Sequence, residues 1–116
     1  MKPLDIGKLN KRITFLKFDE EHTDEMGQNK PEYVKHKSVW ATVKSLRGGE
    51  YYEAQKLRPE LTYKIITRYV KGVTPDMRIS YDGKIFEIDS VNNVDELDIA
   101  LEIMCTEYIE KVDKDE

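Results

Sequence analysis

Apolar and polar residues alternate along several stretches of the chain, and a period of two is typical of β-strands that bury one face. Four such stretches are predicted strands: residues 12–18, 38–46, 61–70 and 97–109. In the last of them, the alternation predicts a row of inward side chains made of Leu97, Ile99, Leu101, Ile103 and Cys105.

A fifth stretch, residues 77–88, contains Asp82-Gly83 between two alternating halves. A type I′ turn needs positive φ at both of its central residues, and Asp-Gly tolerates this, so the stretch predicts a β-hairpin. The expected cross-strand pairs are Tyr81 with Lys84, Ile79 with Phe86, Met77 with Ile88 and Arg78 with Glu87.

The segment at residues 19–37 interrupts the alternation. It is polar, contains Gly27 and Pro31, and has only scattered apolar side chains. Loops of this length without internal structure are uncommon in compact domains and are usually functional or disordered. We therefore predict a long mobile loop.

Residues 50–57 follow Gly48-Gly49 and have acidic side chains near their start. Lys56 and Arg58 lie at the end, and Pro59 then stops the segment. This distribution favours a short helix. A two-turn helix is marginal alone in water, so it must be stabilised by docking, either on its own domain or on a neighbour. Tyr51 and Tyr52 therefore have two interpretations, as cover for the core or as a contact surface for a partner.

The length of 116 residues suits one domain, covering residues 1–116. About six strands without βαβ repeats predict a mainly β fold, a small antiparallel β-barrel with one short helix and a long mobile loop. The acidic tail at residues 110–116 is predicted to be flexible.

The net charge of −4 argues against general affinity for nucleic acid, which requires a basic face. Seven basic residues nevertheless cluster in the middle of the chain, and they suit either DNA in a pore or a solvated strand face: Lys44, Arg47, Lys56, Arg58, Lys64, Arg68 and Lys71.

A single cysteine excludes an internal disulfide and fits a reducing cytoplasm. The N-terminus shows no signal peptide, and no segment has the roughly 20 apolar residues of a membrane span.

No catalytic set can be assembled from these residues. His22, Asp24, Glu25 and His36 could bind a metal, but they lack the tight spacing of known ligand motifs, so a solvated loop is favoured. Cys105 has an inward position and no histidine nearby in sequence, which indicates an inert core thiol. We therefore predict no catalytic residue, no metal site and no cofactor, and a protein that is not an enzyme.

Four stretches in a fixed order carry a family resemblance. They are Ile6-Gly7-Lys8-Leu9 leading into Arg12-Ile13-Thr14-Phe15, then Val39-Trp40-Ala41-Thr42-Val43, then EYYEAQKL at residues 50–57, and finally Arg68-Tyr69 followed by TPDMRI and YDGKIFEI at residues 74–88. Together they resemble the phage head-tail joining family, which comprises the head-completion or stopper proteins of long-tailed bacteriophages and prophages.

The resemblance implies a small β-barrel that is a monomer when free and forms a ring, usually a dodecamer, on the portal and adaptor complex. Such a ring closes the head exit channel, retains packaged DNA and provides the attachment surface for the tail or tail-completion protein. The expected location is the virion neck, and the host cytoplasm during assembly. Packaged DNA would be contacted at the channel at most.

The resemblance also implies site residues. The segment between the second and third main strands, residues 44–61, corresponds to a mobile channel gate. Its candidate gate and partner residues are Lys44, Arg47, Gly48, Gly49, Glu50, Tyr51, Tyr52, Gln55, Lys56 and Arg58. The loop at residues 19–37 would order against neighbouring subunits, with Asp24, Gly27, Gln28 and Tyr33 as candidate contacts.

Three alternatives remain open from the sequence. The chain could be another neck component, such as an adaptor or tail-completion protein, although adaptors tend to be helical. It could be a small-barrel binding module for peptide or nucleic acid, or an unrecognised small enzyme.

Overall fold

The computed structural model describes residues 9–46 and 62–108. Six strands occupy most of them: β1 Lys11–Asp19, β2 Glu32–Ser45, β3 Thr62–Arg68, β4 Arg78–Tyr81, β5 Lys84–Asn93 and β6 Ala100–Tyr108. All pairs are antiparallel, and the order β1-β2-β3-β6-β5-β4 closes into a barrel. The predicted β-barrel of about six strands is confirmed, whereas the helix predicted at residues 50–57 lies outside the described residues.

Two long-range pairings close the barrel. β6 lies between β3 and β5, and β4 pairs with β1 through Thr14 opposite Ser80 and Phe15 opposite Ile79. Closure gives each strand a neighbour on both sides over part of its length, which removes most of the open edges that invite aggregation. Within the described ranges, no helix is long and apolar enough to cross a membrane.

The core consists of the inward side chains of these strands. Phe15, Ile65, Ile79, Phe86 and Ile103 have no exposed surface. The alternation of Arg12–Phe18 is confirmed in β1, because its inward positions are buried and most of its outward ones are exposed or half-buried.

The predicted inward row of the last strand is correct for Leu101, Ile103 and Cys105, which are buried. It is wrong for Leu97 and Ile99, whose side chains are 51% and 44% exposed. β6 begins only at Ala100, and the preceding turn has positive φ at Asp95, Glu96 and Asp98, so the alternation does not extend back through it.

The predicted hairpin is confirmed. Asp82 and Gly83 have φ of 51° and 77°, as a type I′ turn requires. The observed pairs are Tyr81 with Lys84, Ser80 with Ile85, Ile79 with Phe86 and Arg78 with Glu87. β4 begins at Arg78, so Met77 precedes the paired register, although both Met77 and its expected partner Ile88 are buried.

The loop predicted at residues 19–37 is shorter than expected. β2 begins at Glu32, which lies opposite Asp19 at the end of β1. Pairing of the two strands continues from there toward the barrel, so residues 32–37 are strand. The sequence concealed this because Lys35, His36 and Lys37 are all exposed, which removes the alternation that marks a half-buried strand. The mobility of the remaining connection, residues 20–31, stays a prediction.

Candidate functional site

The predicted gate segment leaves and re-enters the barrel at one place. β2 ends at Ser45 opposite Tyr63 of β3, and the Leu46 amide donates a hydrogen bond to the carbonyl oxygen of Thr62 at 2.9 Å. Leu46 is 2% exposed and Thr62 is fully buried, so both attachment points lie in the core. The connection between β2 and β3 therefore starts and finishes at adjacent, buried positions.

Of the predicted gate residues, only Lys44 lies within the described part of the chain. It is exposed on β2, directly opposite Lys64 of β3, and Lys64 forms an ion pair with Glu102 at 3.6 Å. The other predicted gate residues lie outside the described residues: Arg47, Gly48, Gly49, Glu50, Tyr51, Tyr52, Gln55, Lys56 and Arg58.

A two-stranded arm extends from the barrel. We define the arm as residues 17–37. β1 pairs with β4 only at residues 14–16, and β2 pairs with β3 only at residues 41–45. Among the described strands, residues 17–19 therefore pair only with residues 32–34, and Lys35 and Lys37 pair only with β1.

The end of the arm is a turn organised by Asp24. One oxygen of its carboxylate, Oδ1, accepts hydrogen bonds from the amides of Met26 and Gln28, each at 2.9 Å. The Asp24 amide donates to the Gln28 carbonyl oxygen at 2.9 Å, and the Gly27 amide donates to the Asp24 carbonyl oxygen at 3.0 Å. Gly27 has a φ of 81°, a conformation that favours glycine.

Three of the predicted subunit contacts, Asp24, Gly27 and Gln28, thus come together in one turn. That turn presents Met26, whose side chain is 82% exposed. Sequence reasoning missed Met26. The sequence feature that could have identified Met26 is a long apolar side chain next to a glycine, within a segment of charged residues.

The fourth predicted contact, Tyr33, lies nearer the barrel. Its ring packs against Phe18 with centroids 5.2 Å apart, and its hydroxyl donates to the carbonyl oxygen of Asp76 at 3.4 Å. The guanidinium of Arg78 lies 4.3 Å from the Tyr33 ring centroid and 4.6 Å from that of Tyr108. Cation–π contacts of this kind attach the arm to β4 and β6 of its own barrel.

A groove runs beside the base of the arm. Its volume is about 340 Å³, and it is lined by Leu9, Arg12, Lys37, Ser38, Val39, Trp40, Arg68, Tyr69 and Val70. Trp40 is 53% exposed, and the Arg12 guanidinium lies 5.1 Å from its ring centroid. Tyr69 is 36% exposed. The sequence did not indicate this groove, because it is formed by three segments that only the barrel brings together.

Two side chains that the sequence offered as reactive candidates, His22 and Cys105, have contacts in the described structure. His22 Nδ1 lies 3.1 Å from the Lys30 carbonyl oxygen and 3.5 Å from a carboxylate oxygen of Glu32. In residues 9–46 and 62–108, no group of three or more metal-binding side chains is present. Burial, and to a smaller degree the nearby Asp89 carboxylate, raises the pKa of the Cys105 thiol well above its ordinary value, so the group stays protonated.

The phage head completion protein family matches residues 4–108 of the chain. This protein belongs to that family. It is 34% identical over 73 residues to the head completion protein gp16 of Bacillus phage SPP1, a match that covers 63% of this chain. The chain matches 66% of the length of that relative. The family membership confirms the resemblance carried by the four sequence stretches.

Two solved structures have similar folds. The solution structure of protein SF1141 from Shigella flexneri 2a superposes with a TM-score of 0.70 at 24% identity, over 93% of this chain and 100% of that one. A chain from the virion of a native gene transfer agent particle gives a TM-score of 0.55 at 19% identity, over 87% and 96% of the two chains. At these identities the likeness supports the barrel fold.

Proposed function

We propose that this protein is a structural head-completion protein of a tailed phage or prophage, located in the head-tail region of the virion. The observation that carries this proposal is the family match over residues 4–108, because it spans all six strands of the barrel and the connections between them. The relative in phage SPP1 is itself described as a head completion protein.

In the proposed assembly, copies form a ring on the portal and adaptor complex, and the ring offers an attachment surface to the tail or tail-completion protein. Each contact of a 116-residue chain is small, so one subunit would bind weakly. A ring that engages all of its contacts together gains affinity through high effective concentration. The proposed protein would then be a monomer when free and a ring on the head.

The connection between β2 and β3 is the proposed gate of the DNA exit channel. The hydrogen bond between Leu46 and Thr62 fixes its two ends side by side on the barrel, so ring formation would bring one such pair of ends per subunit around the channel axis. Lys44 at the base of this segment gives the site positive charge, which suits contact with DNA phosphates at the channel.

The first experiment is electron microscopy of particles from a lysate in which this gene carries a stop codon. Free tails beside tailless heads that have lost their DNA are the expected result. Normal DNA-filled, tailed particles would exclude a head-completion role, and the small-barrel binding module would then become the leading alternative.

The second experiment tests the gate. We expect Tyr51→Ala combined with Tyr52→Ala to leave the barrel folded, because the described strands bury a core made of their own side chains, while complemented particles lose DNA or fail to form rings. Leu97→Ala is the control, because Leu97 is an exposed apolar residue that precedes β6, whereas the connection between β2 and β3 ends at Thr62, opposite Thr106 near the end of β6. Unchanged particle yield from the double variant would exclude the gate assignment.

A further inference from the structure

We call the groove beside the base of the arm, which is lined by Trp40, the Trp40 groove. We propose that the acidic turn at the end of one subunit's arm docks in the Trp40 groove of a neighbouring copy of this chain. Repetition of this head-to-tail contact would build the ring. The inference rests on the proposed function, because ring formation is part of that function and the inference names the two surfaces that would form the ring.

Charge complementarity is the first argument. Residues 19–32 at the end of the arm contain six acidic residues and one lysine: Asp19, Glu20, Glu21, Asp24, Glu25, Glu32 and Lys30. The lining of the groove contains three cationic side chains and no acidic one: Arg12, Lys37 and Arg68. Opposite potentials of this kind steer encounter and fix the orientation of two surfaces.

Apolar complementarity is the second argument. The turn presents Met26, 82% exposed, and the groove presents Trp40 and Tyr69 as partly exposed rings. Methionine is flexible, fills irregular gaps and makes favourable contacts between its sulfur and aromatic rings. Tryptophan, tyrosine and arginine are the residues most enriched at the centres of protein interfaces. Among the described residues, the large apolar side chain with the greatest exposed fraction therefore has a matching site elsewhere on the same chain.

The turn also has its own internal hydrogen bonds. The Asp24 carboxylate fixes the amides of Met26 and Gln28, and the Lys30 amide donates to the His22 carbonyl oxygen at 2.6 Å. The bridge between Thr23 and Asn29 closes the base of the turn. A turn held by internal hydrogen bonds loses less conformational entropy on association than one without them, so even a small contact can contribute affinity.

Given this match between two surfaces of one sequence, the occupant is a second copy, because the turn at the end of the arm cannot reach the groove at the base of the same arm. Ser38 of the groove and Glu32 at the start of the turn lie on the same strand, β2, about 20 Å apart for six residues in extended conformation. The contacts of Tyr33 with Arg78 and Asp76 hold the arm against β4, so it cannot fold back. When two different patches of identical subunits bind each other, each subunit is rotated relative to the one before it. Repeated binding generates a closed ring if these rotations add up to one full turn.

Disulfide capture tests the contact directly. Phage carrying Met26→Cys together with Tyr69→Cys should yield particles whose subunits form a series of covalent oligomers under mild oxidation, read on non-reducing gels. Cys105 can remain, since it is buried and outside both surfaces. Met26→Cys with Lys84→Cys is the control, because Lys84 lies at the β4–β5 turn, and it should give monomers. Monomers from the first variant, or a disulfide to a different protein, would overturn the proposal.

A charge exchange provides an independent test. Glu25→Lys and Arg68→Glu, each alone, should lower the yield of complemented infectious particles by roughly tenfold or more, because the loss repeats at every interface of the ring. The two changes in one chain should restore most of the yield. Both residues are exposed, so each purified variant should unfold at the same temperature as the unchanged protein.

The stop-codon experiment and the charge exchange together separate the inference from the function on which it rests. Normal particles without this gene would remove head completion itself. Defective particles without the gene, combined with full complementation by Glu25→Lys and by Arg68→Glu, would leave head completion intact and show that the arm does not dock in the groove.

Discussion

Two buried threonines of β3 differ in one hydrogen bond. Thr62 and Thr67 both have no exposed surface. The hydroxyl of Thr67 donates to the carbonyl oxygen of Arg68 at 2.7 Å, whereas the hydroxyl of Thr62 has no hydrogen-bond partner among the described residues. The same substitution, threonine to valine, should therefore have opposite effects at the two positions.

The expected magnitudes follow from the hydroxyl group alone, because valine keeps the β-branch and the strand preference. An unsatisfied buried polar group costs about 1–3 kcal/mol, and a typical hydrogen bond contributes about 1 kcal/mol net. We expect Thr62→Val to raise the free energy of unfolding by about 1 kcal/mol and Thr67→Val to lower it by about 1 kcal/mol. For a domain of this length, each change corresponds to about 4 °C in Tm.

The assay is urea unfolding followed by circular dichroism, with both variants and the unchanged protein measured together. Equal slopes against urea would show that the unfolded state is unaffected, so that the midpoints compare stability directly. If Thr62→Val lowered stability as much as Thr67→Val does, the Thr62 hydroxyl would have to contribute a favourable interaction, and the reasoning from its missing partner would fail.

Two further predictions concern the core. Phe86→Ala should lower the free energy of unfolding by about 3–5 kcal/mol in urea titrations, because Phe86 is fully buried and its ring lies 4.7 Å from that of Tyr63; a loss under 1 kcal/mol would contradict its central position. The Cys105 thiol should resist iodoacetamide at pH 8.5 until urea unfolds the chain, as mass spectrometry would detect, since burial raises its pKa. The unfolded chain releases this proton first as pH rises, so stability should fall above about pH 8.5.

Local patterns predicted the parts of the fold that local chemistry determines. The Asp82-Gly83 turn fixed the register of Arg78 opposite Glu87 because only two residues separate the strands. The inward position of Cys105 followed from the alternation within β6 alone. These features need no information about distant parts of the chain.

Features that depend on distant pairing were missed. Residues 32–37 became strand only through pairing with β1, and their exposed lysines gave no alternation to detect. The Trp40 groove requires β1, β2 and the end of β3 side by side, so Trp40 and Tyr69, 29 positions apart, could not be recognised as neighbours. By contrast, three of the predicted contact residues share one turn because Asp24, Gly27 and Gln28 are close in sequence.

The insertion of β6 between β3 and β5 has a consequence during synthesis. Until Ala100–Tyr108 leave the ribosome, β3 and β5 lack their shared neighbour, and the nascent chain exposes two unpaired edges. The barrel can therefore close only after β6 has left the ribosome. A nonsense codon within β6 should produce an aggregating fragment rather than a shortened but functional subunit.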